Sequence, residues 1–314
     1  MFNKVLITGF KKAELSPQTL QRLSKLSKKI VFCSPEDPKV KSEQQDTDCL
    51  LVKFNPVAKE DINHLPKLKY VGVLGTGYGK VDTNYAKTKK VTVTNVPGYS
   101  TESVAEFVFA AILENIRELE KAKKQARNGN YSEDGFKATE LKNKKFGVVG
   151  LGRIGTRVSE LAMAFGANVS YWSKNRKKTQ ENKGTKYQDL QTLLNTSDVI
   201  SIHLALNSRT EKIISGKLIT SIKKGAVVVN TAPMELLDLK SLEMRLQAKD
   251  LVFILDHSDE MNSQDAKRIS KYQTCIVYPP IGYISEEARE GKQQILIDNI
   301  ENFLKGTLQN VVNP

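Results

Sequence analysis

Cysteine, histidine and tryptophan are scarce in this chain of 314 residues, which holds 3, 3 and 1 of them. Cys33, Cys49 and Cys275 are too few and too scattered for a disulfide framework or for a zinc site of recognisable spacing. A reducing cytoplasm suits that composition, and no metal site is expected. Long apolar runs are missing too. Val5-Leu6-Ile7-Thr8-Gly9-Phe10 is closed by Lys11-Lys12; it is far shorter than a signal-peptide core or a membrane span and reads as a first strand. Acidic residues fall short of basic ones, 35 against 48, leaving a formal charge of +13. The lysines lie in many short groups, such as 87–90, 121–124 and 142–145, and no interleaved aromatics accompany them. A solvated basic surface is therefore expected rather than a nucleic-acid partner.

What is present is organised around Phe146-Gly147-Val148-Val149-Gly150-Leu151-Gly152-Arg153-Ile154-Gly155. It reads as a buried strand entering a tight glycine turn, then a helix from about Arg153 to Ala164 and a second strand over 168–172. Gly150, Gly152 and Gly155 have separate tasks: a sharp turn, close approach of backbone to a pyrophosphate, and tight packing of helix on strand. The helix N-terminus, with Arg153 and Ile154, then offers free N–H groups to the phosphates. A lone motif of this kind could be an ordinary glycine turn, but the flanking strand, helix and strand predict dinucleotide binding.

The length suggests two domains. From residue 1 to about Pro97 short apolar runs alternate with polar helical segments, at 5–10, 30–33, 49–54 and 70–74, the pattern of a parallel sheet. The last of these runs into Gly75-Thr76-Gly77-Tyr78-Gly79, whose amides could hold a carboxylate or phosphate, or form no more than a flexible turn. Another strand and turn lie at 91–98. A long helix follows Ser100, with Val104, Ala105, Phe107, Val108, Ala111, Ile112 and Leu119 at helical spacing; its apolar face could bury a subunit contact or sit in the core of one chain. Further strand-like runs at 197–203, 226–230, 251–255 and 275–278 complete a doubly wound α/β domain, and 285–314 opens with an amphipathic helix. No repeat of solenoid length occurs.

These residues resemble the D-isomer-specific 2-hydroxyacid dehydrogenases over nearly the whole chain. The resemblance rests on Gly75-Thr76-Gly77-Tyr78, on 93–106, on the glycine loop at 150, and on Asn230-Thr231-Ala232, Leu255-Asp256 and Asn310-Val311-Val312-Asn313. Residues 95–106 look most like the glyoxylate and hydroxypyruvate reductase branch. The resemblance implies two Rossmann-like doubly wound parallel-sheet domains with a cleft between them: a flavodoxin-like substrate domain, 1–97 plus 287–314, and a dinucleotide-binding domain, 98–286. It also implies a homodimer. By position, Leu74, Gly75, Thr76 and Gly77 would meet a small carboxylate, Ala205 and Leu206 would line the adenine pocket, and Thr231, Ala232 and Val104 would border the cofactor. Asp256 would accept from the nicotinamide carboxamide, or else bond a turn as an ordinary strand-end residue.

An NAD site of this type has an acid at the end of its second strand to hold the ribose 2′-hydroxyl. Here Ser173 stands there, followed by Lys174, Asn175 and Arg176, which would attract a 2′-phosphate. NADP is favoured over NAD on that ground. The family's catalytic arginine, glutamate and histidine fall at Pro233, Met261 and Pro280. No catalytic residue is therefore assigned. Two readings follow: a cofactor-responsive binding protein without the usual chemistry, or a working reductase on another 2-keto acid, imine or carbonyl. The second would need a stand-in acid such as His257, with Asp259, Glu260 and Tyr283 nearby in sequence; His203 and His64 are read as structural.

Overall fold

Every ladder between two strands is parallel in the computed structural model, which describes residues 1–34, 36–37, 39–53, 55–256 and 261–314, with the side chains of Lys39 and Lys41 left aside. His257, Asp259 and Glu260 lie outside the described residues. The chain divides into two compact units, 1–100 with 285–314, and 101–284. These boundaries fall after Ser100 and Ile284, where the sequence reading put them after Pro97 and Glu286.

The smaller unit holds β1 (Phe2–Thr8), β2 (Ser27–Cys33), β3 (Cys49–Val52), β4 (Tyr70–Val73) and β5 (Thr92–Thr94), in the order β2-β1-β3-β4-β5. This is the flavodoxin-like winding. β3 and β4 are buried at every position, so their continuous apolar runs have no polar alternation. The helix Glu286–Lys305 belongs to this unit and buries Leu296, Ile297 and Ile300 in the same cluster as Phe2 and Tyr70. Beyond it, the 310–313 segment zips onto β5: Val312 N–H donates to Val93 O at 2.9 Å and Val93 N–H to Asn313 Oδ1 at 2.8 Å.

The larger unit holds β6 (Lys145–Val149), β7 (Asn168–Trp172), β8 (Lys186–Tyr187), β9 (Val199–Ile202), β10 (Val227–Asn230), β11 (Val252–Leu255) and β12 (Cys275–Val277). Their order is β12-β11-β10-β9-β6-β7-β8. The chain winds one way from β6 to β8, then crosses over and winds the other way from β9. The switch point between β6 and β9 is where open α/β sheets bind ligands.

Two details depart from the sequence reading. The two-residue β8 is too short to show a period and was not anticipated. The helix after Ser100 was expected to carry Leu119, but Thr101–Ile116 stops there and Leu119–Arg127 forms a second helix. Glu118 causes the break: it takes a left-handed conformation, φ 52°, and its carboxylate accepts from Lys137 N–H at 2.5 Å. The apolar face of Thr101–Ile116 is covered within the chain, since Val104, Ala105, Val108, Ala111 and Ile112 are all buried. That decides for these residues the choice between core and subunit contact.

Phe2 anchors the smaller unit's core. It is 1% exposed, stacks on Phe303 at 5.7 Å between centroids and meets Tyr70 at 6.0 Å. Phe2→Ala is expected to cost about 3–5 kcal/mol, read as a lowered urea midpoint by far-ultraviolet circular dichroism; an unchanged midpoint would remove Phe2 from that role.

Candidate dinucleotide site

The turn after β6 is built on backbone-to-backbone approach. Gly150 sits at φ +100° and its N–H donates to Trp172 O at 2.8 Å, joining the ends of β6 and β7. A Cβ on Gly155 would lie 2.0 Å from Gly150 O, so only glycine lets the helix Arg153–Ala164 seat against the turn. Gly152 differs: a Cβ there would meet nothing within 4 Å. It is the helix N-cap, with no side-chain cap, so the first amides of the helix, at Arg153, Ile154 and Gly155, face that space with no intrahelical acceptor. An open approach in front of free amides and a positive helix end is the arrangement a pyrophosphate requires. An open concavity of about 610 Å³ runs along the same helix, lined in part by Gly152, Arg153, Arg157 and Lys177.

The end of β7 is more committed than the sequence suggests. Ser173 is 9% exposed and its hydroxyl donates to Asn175 O at 2.6 Å. Arg176 is forked onto Glu181, with Nε to Oε1 at 3.1 Å and Nη2 to Oε2 at 2.5 Å, and lies over the Tyr187 ring. Tyr171 donates to the same carboxylate at 2.7 Å. Arg176 first, then Tyr171, holds the Glu181 carboxyl below its usual range. Lys174 and Lys177 stay exposed. Sequence reasoning took Arg176 for a free cation because Glu181 sits in the next short helix, Lys178–Glu181, which no pattern tied to it.

At the end of β9, His203 joins two strands. Its ring contacts Ser201 Oγ through Nε2 at 2.7 Å and Thr231 Oγ1 through Nδ1 at 3.2 Å. Burial lowers its pKa to about 3. His203 is thus a neutral strand-end residue beside the glycine turn, where its carbonyl would lie 2.8 Å from a Cβ on Gly150. Ala205 and Leu206 follow it and are exposed, Leu206 at 41%. At the end of β10, Asn230 is fully buried and clasps the next turn, donating from Nδ2 to Ala232 O at 2.8 Å and accepting from Ala232 N–H. Pro233 then caps the short 3-10 turn Met234–Leu236.

After β11, Asp256 is 1% exposed and accepts from Gly282 N–H at 2.9 Å. The strand-end alternative for Asp256 is thus realised for one carboxylate oxygen. Met261 packs against the apolar core beneath, and Pro279-Pro280 lead from β12 into the turn that Asp256 holds. Val104 is 6% exposed. In the smaller unit the loop after β4 is pinned by Thr76 Oγ1 to Val96 O at 3.1 Å and by Asn95 Nδ2 to Thr76 O at 2.7 Å. Leu74 points into the core at 3% exposure, while Thr76 and Gly77 are exposed. Leu74 can therefore offer a ligand its backbone only, because its side chain belongs to the hydrophobic cluster with Val96.

Gly150 to Gly155, Ser173 to Arg176, Ala205, Leu206, Thr231, Ala232 and Asp256 thus lie at or just beyond the C-terminal ends of β6, β7, β9, β10 and β11 in one sheet, around its switch point. A doubly wound sheet with a glycine cradle at that place defines a dinucleotide-binding domain of the Rossmann kind. Residues 109–282 match the pattern described as "D-isomer specific 2-hydroxyacid dehydrogenase, NAD binding domain". The chain belongs to the D-isomer specific 2-hydroxyacid dehydrogenase family. It is 30% identical over 275 residues to a hydroxypyruvate reductase of Blautia hydrogenotrophica, covering 85% of each chain. It is 33% identical over 267 residues to a glyoxylate reductase of Thermococcus litoralis, covering 82% of this chain and 80% of that one. Among solved structures it is similar to an acyclic imino acid reductase in complex with NADPH and D-Arg, with a TM-score of 0.86 and 28% identity over 98% of this chain and 99% of that one. The D-lactate dehydrogenase from Aquifex aeolicus complexed with NAD and lactic acid gives 0.86 and 27%, covering 99% of each. Among the described residues no helix is long and apolar enough to cross a membrane, and no group of three or more His, Cys, Asp and Glu could hold a metal ion.

The sign of the pH effect at His203 follows from its environment. As pH falls from 6.5 toward about 3, an unfolded chain takes up a proton that the folded one refuses, so stability drops by about 1.4 kcal/mol per pH unit from this residue. His203→Asn is expected to flatten the fall of the urea midpoint between about pH 6 and about pH 4. An equally steep fall in the variant would show that His203 does not carry this acid sensitivity.

Proposed function

We propose that this chain binds a nicotinamide dinucleotide in the larger unit but lacks standard 2-hydroxyacid dehydrogenase chemistry, acting as a cofactor-responsive binding protein of the cytoplasm. The observation that carries the reading is the identity of three residues. Where the family resemblance calls for arginine, glutamate and histidine, the chain has Pro233, Met261 and Pro280. Gly150, Gly152, Gly155 and the amides at Arg153 and Ile154 would hold the pyrophosphate; Ser173, Lys174, Asn175 and Arg176 the adenosine ribose; Ala205 and Leu206 the adenine. Thr231, Ala232, Asp256 and Val104 would border the nicotinamide, and Leu74, Gly75, Thr76 and Gly77 a small carboxylate. When bound, the reduced cofactor offers a hydride.

Reduction of a 2-keto acid also needs a cation on the carboxylate and a proton donor at the carbonyl. General acid catalysis is worth about 10²–10⁴-fold and one electrostatic donor about 10²–10³-fold. Neither proline has an N–H to donate. Met261 is packed in apolar surroundings. His203, beside the glycine turn, stays neutral with both ring nitrogens engaged. These observations favour binding without turnover. The homodimer implied by the resemblance remains part of the reading, on surfaces other than the covered face of Thr101–Ile116.

A second reading has its own support. The similar acyclic imino acid reductase was solved with NADPH, and a protonated imine brings its own positive charge, which lessens the need for an arginine. Under that reading the chain reduces an imine.

Fluorescence titration of the purified protein with NADPH and NADH, alongside reduced-cofactor oxidation with glyoxylate, hydroxypyruvate, pyruvate and imines, separates the cases. Binding without oxidation is the expected result. Oxidation with imines alone establishes the second reading, and rapid turnover of any 2-keto acid overturns both. NADPH is expected to bind more tightly than NADH because Ser173 stands where an NAD site has an acid, beside the exposed Lys174. Releasing Arg176 by Glu181→Gln should raise the NADPH preference a further few-fold, the modest effect of an exposed charge. An unchanged ratio would show that Arg176 does not reach the 2′-position.

A further inference from the structure

In a parallel sheet the turns that enter the strands all meet at one edge, and in the larger unit that edge lies opposite the glycine cradle. Lysines collect there. Lys142, Lys144 and Lys145 lead into β6, Lys186 opens β8, and Lys224 and Lys249 stand shortly before β10 and β11. Backbone bonds tie these turns side by side: Asn143 N–H donates to Gly166 O, Asn168 N–H to Lys144 O and Asp198 N–H to Lys145 O, each at 2.8 Å, and Gly225 N–H donates to Asp250 O at 2.7 Å. Within about one turn of chain before each strand, the acids are Asp198 and Asp250, and both are engaged. Asp198 takes Lys223 Nζ at 2.5 Å and Lys145 N–H at 2.8 Å, and Lys144 adds to the field upon it. Asp250 takes Arg245 Nε at 2.6 Å. Among the described residues no carboxylate forms a salt bridge with Lys142, Lys144, Lys145, Lys186, Lys224 or Lys249.

Helix ends account for part of this. Lys224 and Lys249 follow the helices Gly216–Ser221 and Leu239–Gln247, whose negative C-termini attract cations. The three lysines before β6 follow an irregular stretch, 128–144, and need another account. Beside them an aromatic ring reaches solvent. Gly166 packs on the stem of Lys142, where an added Cβ would lie 3.3 Å from Lys142 Cγ, and its neighbour Phe165 is 44% exposed although it stacks on Phe109 at 5.2 Å. Like charges gathered on one edge repel one another and draw in an anionic partner.

We propose that this edge, through Lys142, Lys144, Lys145 and Phe165 with Lys186 and Lys224 on either side, docks an acidic polypeptide segment that carries an apolar side chain. From β10 to β8 the edge spans roughly 19 Å at about 4.8 Å per strand, room for about six residues of extended chain. Carboxylates meet the ammonium groups, and the apolar residue covers the exposed part of Phe165. Single-stranded nucleic acid fits less well. Base stacking needs a row of rings, and Phe165 is the one exposed aromatic side chain within about one turn of chain before a strand of this sheet. The inference stands apart from the cofactor reading, because the cradle lies at the other edge.

Fluorescence anisotropy of the full chain with a labelled peptide of glutamate-glutamate-leucine repeats, alongside polyglutamate and oligothymidine of equal length, tests it. The wild type should bind the leucine-containing peptide most tightly, and more weakly as salt rises. Lys142→Glu, Lys144→Glu and Lys145→Glu together should weaken it by about tenfold or more, the summed effect of three reversed charges. The same reversal at the exposed Lys12, Lys25 and Lys28 of the smaller unit changes the net charge equally and should cost far less. Phe165→Gln should weaken the leucine-containing peptide a few-fold and leave polyglutamate unchanged. Should the triple reversal fail to fold by circular dichroism, glutamine at the same three positions gives a smaller loss in the same direction. No peptide binding by the wild type, or equal losses from the two sets of reversals, overturns the surface; tighter binding of oligothymidine overturns the polypeptide partner, and an unchanged affinity in Phe165→Gln overturns the apolar contact.

Discussion

The helix Arg153–Ala164 packs tightly on the turn before it, and much of the site depends on that approach. With Gly150 O where a Cβ of residue 155 would be, helix and strand meet backbone to backbone. That contact sets the helix axis toward the space in front of Gly152. It also leaves the first helical amides without internal partners, so the dipole and the donors point the same way. The switch between β6 and β9 then brings the ends of β9, β10 and β11 to the same edge. A ligand platform results from strand order, with residues more than fifty positions apart in sequence placed side by side.

Around that platform the polar groups are largely spent on one another. Ser173 closes its own turn, Arg176 is forked onto Glu181, Asn230 clasps Ala232, and Asp256 holds Gly282. His203 bridges Ser201 and Thr231 as a neutral ring. Buried polar groups need such partners, and each bond made within the chain stiffens the edge of the sheet. A neutral, doubly engaged imidazole is a poor acid, and prolines at 233 and 280 shape turns without an N–H to donate. The larger unit combines a preserved cradle with groups committed to structure.

Charged side chains are paired within each unit. In the larger one Arg157 meets Glu102 and Glu160, Arg245 meets Asp250, and Arg268 meets Glu243 and Asp265. In the smaller one Lys53 meets Glu14, and Arg22 meets Asp298 and Glu301.

The amino-acid sequence by itself determined the cradle. The helix expected from about Arg153 to Ala164 and the strand over 168–172 are found at those bounds, because glycine spacing and short apolar runs act over a few residues. It also carried the family, through motifs spread along most of the chain. Only tertiary structure decided that Val104, Ala111 and Ile112 lie in the core of one chain, that Glu118 breaks the helix, and that Arg176 is already paired. These outcomes depend on which side chains meet across strands and loops distant in sequence, and on the water each loses there. Local pattern holds no record of either.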